Sequence, residues 1–263
     1  MSERELSAQL LELIERRFGI AAAPGRTPGW LASRLERAAG ELASDAGVAP
    51  RDVVGYFGAH PAELERLAEL VRVGETRFFR DPEQWEALAT ALRQRPAPGG
   101  KLFGLSAGCS TGEEAWTLAM VLANVELGPF RVVGVDRSSL ALDQARSGRY
   151  ELECQAHVPA AYARHLRLEA ESLQVSQALR ACVSFAQRDL LSGPPPGNYN
   201  LIVCKNLLIY LNQDAALRVL KALFAALAPK GFLLVARAEL PKAKALELPV
   251  VSLAPGVSLV QAP

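Results

Sequence analysis

The chain has 263 residues, half of them hydrophobic, and a formal net charge of +1. That length buries a substantial core and that composition excludes a disordered polymer. A nearly neutral chain has no overall attraction to nucleic acid or to an anionic membrane, so a charged partner has to be met by a local patch. Cys109, Cys154, Cys182 and Cys204 lie far apart with no CxxC pair, and there are three histidines in all. A zinc site or a disulfide framework is therefore not expected, and a reducing, cytoplasmic setting is. The opening MSERELSAQLLELIERRFGI mixes acids and arginines through its apolar positions, and no stretch approaches the ~20 apolar residues of a membrane span.

From the N-terminus, apolar residues recur at helical spacing: Leu6, Leu10, Leu13, Ile14 and Phe18, then Leu31, Leu35 and Leu42, then Leu64, Leu67, Leu70 and Val71. Pro61 suits the first turn of the last of these helices. Residues 1–72 read as a small helical domain. Its nine basic residues are all arginine and are opposed by eleven acids. Arg34 and Arg37 share one helix face, which in most proteins is simply a solvated face.

VGETRFFRDPEQ, residues 73–84, sets two aromatics between two arginines at the start of a further helix. Phe78 and Phe79 either tuck into a core, leaving Arg77 and Arg80 solvated, or serve a site. Residues 73–100 read as a linker that ends in RPAPGG. Beyond it short apolar runs alternate with amphipathic helices: KLFGLSAG, FRVVGVD, VSFAQRDL, NLIVCKN, GFLLVA and a last VSLV. Residues 101–263 are thus expected to form an α/β domain, a doubly wound and mostly parallel sheet covered on both faces. SGPPPGN, at 192–198, reads as a surface turn within it.

In such sheets ligands sit at the carboxyl ends of the strands, where the strand order reverses. The first strand ends in SAGCSTGEEAW. Gly108 and Gly112 bracket Ser110 and Thr111, and Ser110 with Glu113 has the spacing of a capping box. The loop serves equally well as a structural cap. It lacks GxGxxG, and Glu114 would repel a phosphate but suit an ammonium group. The second strand ends in Asp136, a position from which a carboxylate accepts from ribose hydroxyls, although a solvated aspartate also ends many strands. Together the two acids describe S-adenosylmethionine better than a dinucleotide. YNLIVCKNLLIYLN carries Lys205, Asn206 and Tyr210 to the same edge.

GETRFFRD, SAGCSTGEEAW, GVDRSSLALDQARSGRY and VCKNLLIYLN, in this order and spacing, resemble the CheR-type protein-glutamate O-methyltransferases, and with the helical N-terminal half the resemblance covers nearly the whole chain. It implies a Rossmann-like, S-adenosylmethionine-dependent methyltransferase domain that esterifies glutamates of chemoreceptors, leaving S-adenosylhomocysteine. It implies cofactor contacts from Thr76, Arg80, Gly108, Ser110, Thr111, Gly112, Glu114, Asp136, Asp189, Leu190, Lys205 and Asn206. Phe78 and Phe79 would wall the site, and Arg80 and Tyr210 would flank the acceptor carboxylate as the catalytic pair, with no metal. The partner implied is the cytoplasmic helical bundle of a chemoreceptor, docked on Arg34 and Arg37 with Arg26 and Arg51 extending the face. No nucleic acid and no membrane insertion enter, and the chain is expected to act as a monomer.

Two departures qualify the resemblance. Lys205 stands where the family usually has arginine, keeping the charge but losing the planar fork. Ala236-Arg237-Ala238-Glu239 stands where the family often reads Gly-His-Ser-Glu. The segment from Glu151 to Phe185 reads as too short and too helical for the three-stranded subdomain with which some members grip a receptor's C-terminal peptide, so the arginine face is expected to carry docking, with tail-deleted receptors methylated as well as intact ones. A different methyl acceptor, or a non-catalytic module that binds the cofactor, are the alternatives.

Overall fold

The computed structural model describes residues 3–20, 29–70, 76–94 and 100–263, with side chains described from Glu5 in the first segment and from Ala32 in the second. Arg26, Val71, the boundary at 72–73, Gly74 and the turn at 95–99 lie outside the described residues, as does the side chain of Leu31. The chain divides into two compact units, Met1–Val73 with Tyr210–Ala216, and Gly74–Ile209 with Leu217–Pro263.

The first unit holds α1 (Glu3–Phe18), α2 (Gly29–Asp45), α3 (Val53–Ala59) and α4 (Pro61–Leu70). Of the helical-period residues, Leu10, Ile14, Phe18, Leu35, Leu42, Leu64 and Leu67 form one buried core together with Phe57, whereas Leu70 is exposed. Pro61 occupies the first position of α4, where a missing N–H costs nothing. Ile20 bridges Leu211, and Asn212 N donates to Gly19 O at 2.7 Å, which ties the 210–216 segment to this unit.

In the second unit α5 (Pro82–Arg93) precedes β1 (Leu102–Ala107), α6 (Glu113–Val125), β2 (Phe130–Asp136) and α7 (Ser139–Ser147). There follow β3 (Arg149–Glu151), β4 (Leu166–Glu169), β5 (Ser172–Val175), α8 (Gln177–Arg180), β6 (Val183–Gln187) and β7 (Tyr199–Cys204). α9 (Gln213–Ala225), which starts in the first unit, leads to β8 (Leu227–Val235), α10 (Leu240–Ala245), β9 (Val250–Ala254) and β10 (Val257–Gln261). Seven strands form one sheet in the order β6-β2-β1-β7-β8-β10-β9. The first five are mutually parallel, and β10 runs antiparallel to β8 and β9. The expected last strand is thus a hairpin, β9 having the same short apolar character as β10. The order reverses between β1 and β7, whose carboxyl ends lie side by side.

One expectation is overturned. β3, β5 and β4 form a separate three-stranded antiparallel sheet, with β4 and β5 inside the stretch judged too short and too helical for it and β3 at its start. The helical reading was sound for Leu152–His157 and Ala160–His165, which are 3₁₀ turns. The strands escaped notice because they are only three or four residues long, and β4 is nearly all exposed, so no alternation marks them.

Candidate active site

At the end of β1 the chain reverses through Gly108–Gly112 into α6. Gly108 and Gly112 have φ of 82° and 98°. A Cβ on Gly108 would lie 2.9 Å from the Leu207 side chain, and one on Gly112 2.7 Å from Ala145 Cβ and 2.9 Å from the Tyr150 hydroxyl. Both glycines are therefore required by the packing of this loop against its own chain. The capping box is absent: Gly112 occupies the N-cap, Ser110 sits at φ 51°, and Glu113 Oε2 accepts from Thr111 Oγ1 at 2.7 Å. The Thr111 carbonyl accepts from the Tyr150 hydroxyl at 2.7 Å.

Glu114 spans the point where the strand order reverses. Ser106, buried near the end of β1, donates to its Oε1 at 2.8 Å, and the backbone of Lys205, just past β7, also bonds to it. Burial pushes the Glu114 carboxyl up to about 7, against the Ser106 hydrogen bond and the Lys205 charge. Asp136 closes β2: its Oδ2 accepts from Ser110 N at 2.8 Å and its Oδ1 from Ser138 N at 3.0 Å. These two bonds clamp the β1 loop and the start of α7 to the strand end and leave each oxygen further lone pairs. Asp189, two residues past β6, caps the turn Leu190–Ser192 through Leu191 N at 2.9 Å, and Leu190 is buried. Asn206, at φ 57°, has a buried Oδ1 without a hydrogen-bond partner. This edge is rich in acceptors and carries the carboxylates of Glu114, Asp136 and Asp189, a surface that matches a ligand bringing hydroxyl donors and an ammonium group. S-Adenosylmethionine has both, so the residues present fit it.

Phe78 and Phe79 are 1% and 4% exposed and belong to the core of the second unit. Phe78 meets Tyr150 edge-on at 4.9 Å between ring centroids, and Phe79 lies 4.6 Å from Tyr162. They anchor the segment in that core, whereas the resemblance has them wall the site. Phe79 N donates to Thr117 Oγ1 at 3.1 Å, and φ is positive at both Phe79 and Asp81. Thr76 and Arg80 stay half-buried and Arg77 exposed.

The Lys205 amine is turned toward this segment: it pairs with Asp81 at 2.9 Å, donates to the Arg80 carbonyl and lies 5.5 Å from the Trp85 ring centroid. Burial lowers its pKa, and Asp81 opposes the shift. Trp85 Nε1 donates to the same carbonyl at 3.0 Å. The cysteines nearest this edge are inert, because burial pushes the thiols of Cys109 and Cys204 well up and keeps them neutral.

Thr76, Arg80, Gly108 to Gly112, Glu114, Asp136, Asp189, Leu190, Lys205 and Asn206 all belong to the second unit, whereas Tyr210, Arg34 and Arg37 belong to the first. Arg34 and Arg37 are exposed on α2, and Arg51 is exposed beside Asp52 at 3.6 Å. Sequence reasoning missed Ser106, Asp81, Trp85 and Glu239. A serine inside an apolar strand and an acid just past one were the available signals.

The family model described as "CheR methyltransferase, SAM binding domain" matches residues 74–253. WspC of Pseudomonas aeruginosa, named as a probable biofilm formation methyltransferase, is 32% identical over 219 residues, covering 78% of this chain and 51% of its own length. The chemotaxis protein methyltransferase 2 of the same species is 29% identical over 195 residues, covering 70% of this chain and 69% of its own. The chain thus spans about half the length of WspC. Among solved structures, an S-adenosylhomocysteine complex of a methyltransferase from Geobacter sulfurreducens aligns with 17% identity and a TM-score of 0.38, over 62% of this chain and 51% of that one.

Proposed function

The chain belongs to the CheR methyltransferase family, S-adenosylmethionine-dependent enzymes, and on that premise we propose that it esterifies glutamate side chains of chemoreceptor proteins in the cytoplasm. The observation that carries the reading is the row of acceptors Glu114, Asp136 and Asn206 across the carboxyl ends of β1, β2 and β7. Relatives named chemotaxis protein methyltransferases in Pseudomonas aeruginosa and Escherichia coli support the choice of acceptor.

When bound, S-adenosylmethionine supplies an electrophilic methyl group on a sulfonium. Glu114 would hold its ammonium group, Asp136 its ribose hydroxyls and Asn206 a further donor. Thr76, the Gly108–Gly112 loop, Asp189, Leu190 and Lys205 would complete the enclosure, Lys205 by holding the Arg80–Asp81 turn. A glutamate side chain with an ordinary pKa of about 4.3 is already ionised at neutral pH, so no general base is needed. Arg80 would steer the acceptor carboxylate, and the Tyr210 hydroxyl would orient it. Catalysis is then alignment and desolvation of an anion.

Arg34 and Arg37 are assigned to docking of a receptor's glutamate-rich helices. The three-stranded sheet supplies the element with which some family members grip a receptor's C-terminal peptide, so the arginine face has a second candidate beside it. The resemblance to WspC, named for biofilm formation, supports a second reading in which the methyl acceptor is a different protein or a small molecule.

Incubation with methyl-tritiated S-adenosylmethionine and receptor cytoplasmic fragments tests the proposal. Base-labile label on receptor glutamates is the expected result. Label on a different protein or on a small molecule supports the second reading, and cofactor binding without transfer to any acceptor overturns both.

A further inference from the structure

Glu239 follows β8 in the turn Arg237–Glu239, and its side chain is completely buried. Its carboxylate collects backbone N–H groups from its own turn and from the turn after β7, that of Ile209 among them. Oε2 accepts from Ala236 at 3.0 Å and from Asn206 at 3.1 Å, and Oε1 accepts from Leu208 at 2.7 Å. The Asn206 and Leu208 donors belong to the turn after β7, more than thirty residues away in sequence. That turn holds Asn206 at φ 57°, a region that non-glycine residues enter rarely and only when their surroundings demand it. The Asn206 side chain gains no internal bond from this conformation, since its Oδ1 is buried and unpartnered. A buried acceptor left open is costly to the fold, and a donor on a bound ligand would relieve that cost.

We infer that Glu239 is a positioning residue: by accepting the N–H groups of Asn206 and Leu208 it fixes the left-handed turn after β7 and keeps Asn206 Oδ1 open for a donor on the bound cofactor. The inference rests on the cofactor reading proposed above. Ala236 contributes only its N–H, which any residue but proline supplies.

The test is a double-mutant cycle between Glu239→Gln and Asn206→Gly, read by calorimetric titration of S-adenosylhomocysteine into the whole chain, with thermal melting recorded in parallel. Glutamine keeps the size of the side chain but turns an N–H₂ toward at least one N–H. Glycine adopts φ 57° without strain and removes the side chain to be positioned. Glu239→Gln is expected to weaken binding about tenfold in the wild-type background and less than twofold beside Asn206→Gly. Equal losses in the two backgrounds would make Glu239 a staple of the fold and overturn the inference, as would unchanged affinity in the single variant. Should Glu239→Gln show no cooperative melt, Glu239→Asp, which keeps the charge but is one methylene shorter, enters the same cycle with the same criteria. Failure of the wild-type protein to bind overturns the cofactor reading as well, whereas equal losses overturn only the role of Glu239.

Discussion

Lys205 Nζ lies 2.9 Å from Asp81 Oδ2, with the lysine side chain 2% exposed and the aspartate side chain 39% exposed. The same amine donates to the Arg80 carbonyl, so the end of β7 holds the turn that carries Arg80. An arginine fork would not concentrate its charge on one point in this way, and the compact ammonium does. Lys205→Met is expected to destabilise the protein by ~1–3 kcal/mol in urea denaturation, mostly through the lost carbonyl bond, because Asp81 is open enough to be solvated by water. Methyl transfer should fall further than cofactor affinity does. A variant with wild-type stability and turnover would show that the clamp is inconsequential.

Glu114 is expected to make cofactor binding depend on pH. With its carboxyl raised to about 7, most of the free protein carries a proton there at pH 6, and a cationic ligand favours the ionised form. Affinity is expected to rise about fivefold between pH 6 and pH 7 and to level off above, where the ligand's own α-amino group, of ordinary pKa about 7.7–8.0, begins to lose its charge. Calorimetry in buffers of different ionisation enthalpy should register proton release near pH 7, and Glu114→Gln should abolish it. In the absence of ligand the sign for folding is opposite. The folded state holds more protons than the unfolded one between the ordinary carboxyl value of 4.5 and about 7, so this residue's contribution to stability declines as pH rises through that window.

Asp136→Ala removes a charged acceptor and the clamp on Ser110 N and Ser138 N. Cofactor affinity is expected to drop by ~1–3 kcal/mol, with a smaller loss for Asp136→Asn, which retains one carbonyl acceptor. Calorimetric titration of the three proteins gives the comparison, and equal affinities would remove Asp136 from the site.

Arg80→Ala should reduce kcat by about a hundredfold or more, since a fixed positive charge toward an anion in motion is lost. Tyr210→Phe removes only an orienting hydroxyl and should cost about tenfold or less. Single-turnover rates with saturating cofactor decide the order, and wild-type rates for Arg80→Ala would reassign the motif.

Reversal of both arginines, Arg34→Glu with Arg37→Glu, is expected to raise the KM for receptor fragments about tenfold or more at low salt and to leave cofactor affinity unchanged. The three-stranded sheet reverses the expectation for the receptor tail: its deletion should now weaken transfer to receptors that carry a binding peptide. Docking energy confined to either element alone would appear as indifference to loss of the other.

Much of the catalytic unit was legible in the residues themselves because its determinants are local. Buried parallel strands write themselves as continuous apolar runs, and the acids at Glu114 and Asp136 follow those runs at fixed distances along the chain. The helical unit announced itself through the spacing of Leu10, Ile14, Phe18 and Leu64, Leu67. Tertiary structure alone decided what those groups touch. Lys205 finds Arg80 across 125 residues, and Glu239 finds Asn206 across 33, separations over which no periodicity carries information. The assignment of Phe78 and Phe79 to the core was settled by Tyr150 and Tyr162, and the requirement for glycine at Gly112 by Ala145 and Tyr150. The strands of the smaller sheet are too short to be recognised by alternation, and what holds them is their pairing and the burial of Tyr150, Leu173 and Val175 in the core of the unit. A side chain's type is written in the sequence, but its partner is set by which distant segments the folded sheet brings to the same edge.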